Sequence, residues 1–184
     1  MLRLFVALRP PPPIRAVLLD LADGLPGARW QDDEQLHLTL RFIGEVERPQ
    51  AEDLAASLAQ VHAPAPTMAL SGVGRFAHRG RSEALWAGVT PREPIAHLHR
   101  KVDQACVRAD LAPEGRAFLP HITVARLPRA LGAEGAVEAW LARHAGLASA
   151  PFYCGHIVLY QSFLDRDGAR YEPVARWLLE PGGR

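Results

Sequence analysis

Two short segments set a histidine and a threonine two residues apart among branched apolar residues: His37-Leu38-Thr39-Leu40 and His121-Ile122-Thr123-Val124. Successive side chains on a β-strand alternate faces. Each His-x-Thr unit would therefore place an imidazole and a hydroxyl side by side, about 7 Å apart along the chain, with the apolar residue between them turned into a core. Histidine titrates near neutrality, so a pair can present a neutral imidazole and an imidazolium together, a base and an acid. Threonine hydroxyls donate hydrogen bonds without adding charge, which suits the non-bridging oxygens of a phosphate better than a metal ion. In-line displacement at phosphorus needs the base beside the entering oxygen and the acid beside the leaving one. The two rings must then face each other across about 7–10 Å, allowing about 3 Å of hydrogen bond at each end. His37, Thr39, His121 and Thr123 are therefore expected on one cleft, which two sheets set face to face by an internal repeat would supply.

The strands that must carry these residues differ in clarity. Around the first motif Leu36, Leu38, Leu40 and Phe42 share one parity while His37, Thr39 and Arg41 share the other, the pattern of a half-buried strand. Arg41 is thereby a candidate to reach a phosphate or a neighbouring nucleotide, or else a cap on an exposed strand face. Around the second motif Arg126 has the parity of Ile122 rather than of His121. A bulge is needed to bring it round to the histidine's face.

These residues carry a resemblance. The chain resembles the two-histidine phosphoesterase superfamily and, within it, the RNA 2′,3′-cyclic phosphodiesterases, also called 2′-5′ RNA ligases. The likeness runs nearly end to end: Leu4-Phe5-Val6-Ala7, both histidine motifs with their flanks from Leu36 to Glu45 and from Phe118 to Arg126, then Leu85 to Val89, and Leu159 through Ser162 to Gly168 and Tyr171. Val124 stands where the family usually has leucine, a swap on the buried face. The resemblance implies an α+β fold of two pseudo-symmetric lobes, with mostly antiparallel sheets facing a central cleft, over a single domain spanning 1–184. It implies hydrolysis of a terminal RNA 2′,3′-cyclic phosphate to a 2′-phosphate without a metal or other cofactor. His121 would be the proton acceptor and His37 the proton donor, Thr39 and Thr123 would hold the phosphate, and Arg126 would have a substrate or salt-bridge role. Run backwards, or with an RNA 5′-hydroxyl in place of water, the same groups would make a 2′-5′ linkage. The near-symmetry of the motifs would permit the opposite acid and base assignment.

Two other readings stay open. A relative in the same superfamily could act on a small cyclic nucleotide or ADP-ribose cyclic phosphate, and a binding module could hold nucleotides or RNA ends without turnover. Against the module, a binder has no need for a paired acid and base.

Composition agrees with a small cytoplasmic enzyme, expected to work as a monomer. The chain has 184 residues, 48% of them hydrophobic, enough for a sizeable core. The apolar run after Arg3 is short and ends in Arg9 and four prolines, unlike a secretion signal, and no run approaches membrane-spanning length. Cys106 and Cys154 give neither a disulfide framework nor a metal spacing and read as buried thiols. Net charge is +1, which does not point to nucleic acid, and Lys101 is the lone lysine against twenty arginines, a bias that a GC-rich genome explains as well as phosphate binding does.

The periodicities predict strands over 2–8, 36–43, 68–73, 84–90, 156–163 and 171–178, a strand at the second motif, and helices over 13–25, 49–61, 95–106 and 137–144. The 75–81 segment, with Arg75, Arg79 and Arg81, reads as a loop and an RNA-backbone candidate by charge alone. Trp86, Phe42 and Tyr160 could stack a base, although strand aromatics are usually core. His97 and His99 point different ways on a helix, His62, His78, His144 and His156 carry little weight, and the acidic Asp32-Asp33-Glu34 reads as a turn.

Overall fold

A strand covered on both faces is apolar on both. That is the pattern of β1 (Leu2–Leu8), where Leu4, Val6 and Leu8 are buried on one side and Phe5 and Ala7 on the other. A computed structural model describes residues 1–131, 134–166 and 168–182 of the chain. After β1 come α1 (Pro12–Leu19), β2 (Arg29–Trp30), β3 (Leu38–Val46), α2 (Arg48–Leu58), β4 (Thr67–His78), β5 (Arg81–Thr90) and α3 (Glu93–Arg108). Then follow β6 (His121–Arg126), α4 (Glu134–His144), β7 (Phe152–Tyr153), β8 (His156–Asp165) and β9 (Gly168–Leu178).

The fold is α+β. Eight strands run in the order β7-β4-β5-β6-β3-β1-β8-β9, each antiparallel to its neighbours, and β2 pairs with β6 off this path. The order divides into two halves, β7-β4-β5-β6 and β3-β1-β8-β9, which meet where Leu38 pairs with Ile122. Most buried side chains form one core with the helices. It includes Ile95, Leu98, Val102, Ala105 and Cys106, which recur at helical spacing on α3. On the opposite face of β1 a smaller cluster gathers Phe5, Ala7, Val158 and Tyr160. Among the described residues no helix is long and apolar enough to cross a membrane. Both cysteines are buried and unpaired, and burial pushes the thiols up to about 11 for Cys106 and about 12 for Cys154.

Two expectations need correction. The 75–81 segment is strand and tight turn, not loop, because β4 and β5 pair as far as His78 opposite Arg81. Only Arg79 and Gly80 turn the chain, both at positive φ (51° and 76°), as a two-residue hairpin requires. Arg75 reaches Glu138 at 2.6 Å and Glu134 at 3.5 Å, and Arg81 reaches Glu83 at 3.1 Å, so these cations are paired within the fold. The first helix ends at Leu19 rather than running to residue 25.

Candidate active site

Antiparallel pairing of Leu38 with Ile122 sends both side chains into the core, where they are 1% and 0% exposed. It therefore turns their neighbours to the other face, with His37 opposite Thr123 and Thr39 opposite His121. The two imidazoles are diagonal neighbours in this arrangement, about 7–8 Å apart at the backbone. The four residues of the two motifs thus converge at the seam between the halves of the sheet.

Bulges decide what joins them. On β6, Leu85 pairs with Ala125 but Trp86 pairs with Thr123, so Val124 is the extra residue. Val124 and Ala125 are both buried, and Arg126 emerges exposed on the histidine face. The bulge required by its parity is present. On β3 the register against β1 slips twice, at Leu40 and at Ile43. The first slip puts Arg41 opposite Val6, off the face of His37 and Thr39, which corrects the reading from parity. The same slip puts Phe42 opposite Phe5 and leaves it 39% exposed, not in the core, and the second slip at Ile43 follows it.

Arg41 is occupied where it lies. Its guanidinium pairs with Asp103 of α3 at 2.9 Å and Glu114 at 3.1 Å, and donates to the carbonyl of Ala112. These contacts tie the 112–116 segment to β3, and from that position Arg41 still lines the cavity that takes in Thr39 and His121.

Each histidine is oriented in the same way. His37 Nδ1 lies 2.7 Å from the carbonyl oxygen of Gln35, and His121 Nδ1 lies 2.7 Å from that of Leu119. A carbonyl can only accept, so Nδ1 carries the proton in both rings and Nε2 is left to exchange one. Gln35 is itself held, through its amide and its side chain. Asp32 Oδ1 accepts from the Gln35 amide at 2.9 Å while the Asp32 amide donates to Gln35 Oε1 at 3.0 Å, a reciprocal cap on the one-turn helix Asp33–Gln35. Asp33 pairs with Arg15 at 2.8 Å and Glu34 with Arg9 at 3.0 Å, so the acidic run is structural.

Aromatic rings surround both imidazoles. His37 has Phe5 at 4.8 Å, Tyr171 edge-on at 5.1 Å and Tyr160 at 6.3 Å, while His121 has Phe76 edge-on at 4.8 Å and Trp86 at 6.1 Å. Trp86 lies across Gly74, where a Cβ would come within 2.2 Å of the indole. This enclosure sets the electrostatics. Burial pulls His37 down to about 4, the Gln35 carbonyl opposing the shift and Arg126 and His121 adding to it. Burial also lowers His121, the Leu119 carbonyl opposing and Arg126 adding. Both rings are therefore neutral near pH 7 and become acids only when an anion beside them restores the charge.

A cavity of about 370 Å³ opens from this centre, lined by Thr39 and His121, by the rings of Phe42, Phe76, Phe118 and His99, and by the charged Arg41, Glu114 and Arg116. His99 lies parallel to Phe118 at 4.1 Å and its Nδ1 is 2.7 Å from the Leu40 carbonyl oxygen. Reading the sequence missed His99 and Phe118. The parity of His99 on α3 relative to the core marks it only as half-buried, and nothing local says that this flank of α3 meets β3. Among the described residues no group of three or more His, Cys, Asp or Glu side chains is placed to hold a metal ion.

Comparison with known proteins agrees with this architecture. The family model of the 2′-5′ RNA ligase superfamily matches residues 10–166. An RNA 2′,3′-cyclic phosphodiesterase of Geobacillus stearothermophilus is 32% identical over 90% of this chain, which spans 52% of that relative's length. One from Aeropyrum pernix is 30% identical over 83% of this chain and 87% of its own. The crystal structure of E. coli LigT complexed with 3′-AMP superposes with a TM-score of 0.74 at 26% identity, covering 97% of this chain and 98% of that one. TT0787 of Thermus thermophilus shares the fold with a TM-score of 0.76 at 23% identity, covering 97% of this chain and 98% of its own. The family model matched over residues 10–166, together with relatives 30–32% identical over most of the chain, makes this chain a member of the 2′-5′ RNA ligase superfamily.

Proposed function

We propose that the protein opens a terminal 2′,3′-cyclic phosphate on RNA to a 2′-phosphate without a metal ion, within one two-lobed catalytic unit. The observation that carries this reading is the matched pair of Nδ1–H to carbonyl contacts, which leaves Nε2 of both His37 and His121 for proton transfer at neighbouring positions. His121 Nε2 takes a proton from water as its oxygen bonds to phosphorus. The P–O3′ bond breaks, and His37 Nε2–H protonates the departing O3′. An imidazolium as strongly depressed as His37 is a good donor to an alkoxide, and the bound phosphate supplies the charge that lets it form. Thr39 and Thr123 donate to the non-bridging oxygens, and Arg126 offsets their charge. With an RNA 5′-hydroxyl in place of water the same steps join a 2′-5′ linkage: His121 takes the proton of the 5′-hydroxyl as its oxygen bonds to phosphorus, the P–O3′ bond breaks, and His37 protonates O3′.

The reading is supported by the names of the relatives, which are RNA 2′,3′-cyclic phosphodiesterases. A small cyclic nucleotide is the second reading, favoured by an aromatic cavity whose 370 Å³ suits a single nucleoside. Incubation with an oligonucleotide ending in a 2′,3′-cyclic phosphate, followed by phosphorus NMR, tests the proposal. The expected product is the 2′-phosphate. An unchanged substrate, or a 3′-phosphate product, overturns it.

A further inference from the structure

The aromatic cavity is not the larger space beside the histidines. A separate trough of about 650 Å³ has a lining that includes Arg29, Arg126, Arg166, Gln31 and Tyr171. It abuts the reacting centre directly, because Tyr171 meets His37 edge-on at 5.1 Å and Arg126 acts electrostatically on both imidazoles. The two cavities differ in chemistry. The first holds four aromatic rings besides His121 and two arginines beside Glu114, whereas the second holds three arginines beside a single carboxylate, Asp165, among the described residues.

The pairing of β2 with β6 makes the trough unusual. Arg29 stands directly opposite Arg126 in the antiparallel register, and β2 consists only of Arg29 and Trp30. Like charges at directly opposed positions are destabilising, and sequences ordinarily avoid them or interpose a carboxylate. Among the described residues no carboxylate lies within ion-pair distance of Arg29 or Arg126, whereas Arg9, Arg15, Arg41, Arg75, Arg81 and Arg143 are each paired with one. Asp165 is the one carboxylate in the described lining, against three arginines. Three guanidinia gathered in one trough suit an anionic ligand that enters from solvent and offsets their repulsion.

From this geometry we infer that the trough is a second anion subsite, which binds the phosphodiester preceding the terminal nucleotide of an RNA strand, so that the protein prefers RNA ends to mononucleotides. The inference rests on the cyclic phosphodiesterase reading and chooses between its two substrates. The reacting phosphate sits at the histidines and the aromatic cavity takes the terminal nucleoside. The next phosphodiester, one nucleotide back, lies in the field of Arg29, Arg126 and Arg166. A mononucleotide has no group to place there.

The test compares a 2′,3′-cyclic mononucleotide with a trinucleotide carrying the same terminal cyclic phosphate, in the unaltered protein and in Arg29→Gln, Arg166→Gln and Arg29→Lys. Arg108→Gln, an exposed arginine on α3, controls for the loss of charge alone. The unaltered protein should favour the trinucleotide in kcat/KM. Arg29→Gln and Arg166→Gln should each cut that preference about tenfold, the scale of one charge-assisted hydrogen bond, through KM rather than kcat. Arg29→Lys should restore part of it, and Arg108→Gln should leave it as it was. Binding of a 3′-phosphorylated trinucleotide, followed by fluorescence anisotropy against salt, gives a readout that does not need turnover. Its slope in log K against log salt should shrink by about 0.7 for each phosphate of the single strand that a variant no longer neutralises.

An unaltered protein without preference for the trinucleotide, or a preference and salt slope that survive in both glutamine variants, overturns the subsite while leaving the phosphodiesterase reading intact. Failure to turn over either substrate overturns the phosphodiesterase reading instead. The anisotropy slopes then decide the subsite by themselves.

Discussion

Leu38 of β3 lies directly opposite Ile122 of β6, and this backbone pairing joins the two halves of the sheet. Because both side chains enter the core, the residues on either side of each must face the cleft. The arrangement proposed to be catalytic therefore depends on a register set by two buried aliphatic residues that carry no chemistry.

The paired role of the imidazoles predicts equal vulnerability. We expect His37→Ala and His121→Ala each to lower kcat by at least about a hundredfold, the usual scale of general acid-base catalysis, with little change in affinity for a 2′-phosphorylated product. Near-normal turnover in either variant would sink the mechanism.

In the proposed mechanism the threonine hydroxyls take the place that a cation holds in metal-dependent phosphoesterases. Thr39→Val or Thr123→Val should slow hydrolysis about tenfold to a hundredfold by removing a donor to the charge that builds on the phosphate oxygens. Turnover should continue in excess EDTA after dialysis. Activity lost to the chelator and recovered with a divalent cation would assign that charge stabilisation to a metal.

The proposed mechanism needs one neutral and one protonated imidazole together, so rate against pH should be bell-shaped. Burial and Arg126 both lower His37 and His121. Removing the guanidinium lets each ring hold its proton to higher pH, so Arg126→Gln should move both limbs of the kcat/KM profile upward. Limbs that stay in place or move to lower pH would show that Arg126 does not act on these rings.

The same shift has a consequence for folding. His37 falls from 6.5 to about 4 in the folded chain, so between these values the unfolded chain takes up a proton that the folded one refuses. Stability is complete above pH 6.5 and is lost as pH falls towards about 4. Denaturant titrations across that window should show a shallower decline in His37→Gln than in the unaltered protein. Parallel curves would contradict the burial argument.

Arg41 offers a test of position against function. Its side chain is 10% exposed and holds Asp103 and Glu114, at 21% and 17%. Arg41→Met would leave those carboxylates facing one another, and we expect a loss of about 2 kcal/mol or more in unfolding free energy. The salt dependence of RNA binding should be unchanged. A weakened salt slope with normal stability would mean that Arg41 contacts phosphate after all.

The His-x-Thr repeat, with its alternating apolar partners, determined the chemistry and the face on which it would stand, because alternation is a property of a strand wherever it is placed. It also exposed the bulge at Val124, since Arg126 broke parity beside an otherwise regular motif. It could not expose the bulges at Leu40 and Ile43: Leu36, Leu38, Leu40 and Phe42 alternate without fault, and the slips exist only in the register against β1. For that reason parity alone places Arg41 and Phe42 on the wrong faces. His99 and Phe118 needed α3 to be packed beneath β3 before they could be seen as one wall of a cavity. The opposition of Arg29 and Arg126 likewise came from a two-residue strand whose partner lies in the other half of the chain. Local alternation is written residue by residue, whereas register between distant strands is a collective result of core packing, and it was register that decided which cations reach the cleft.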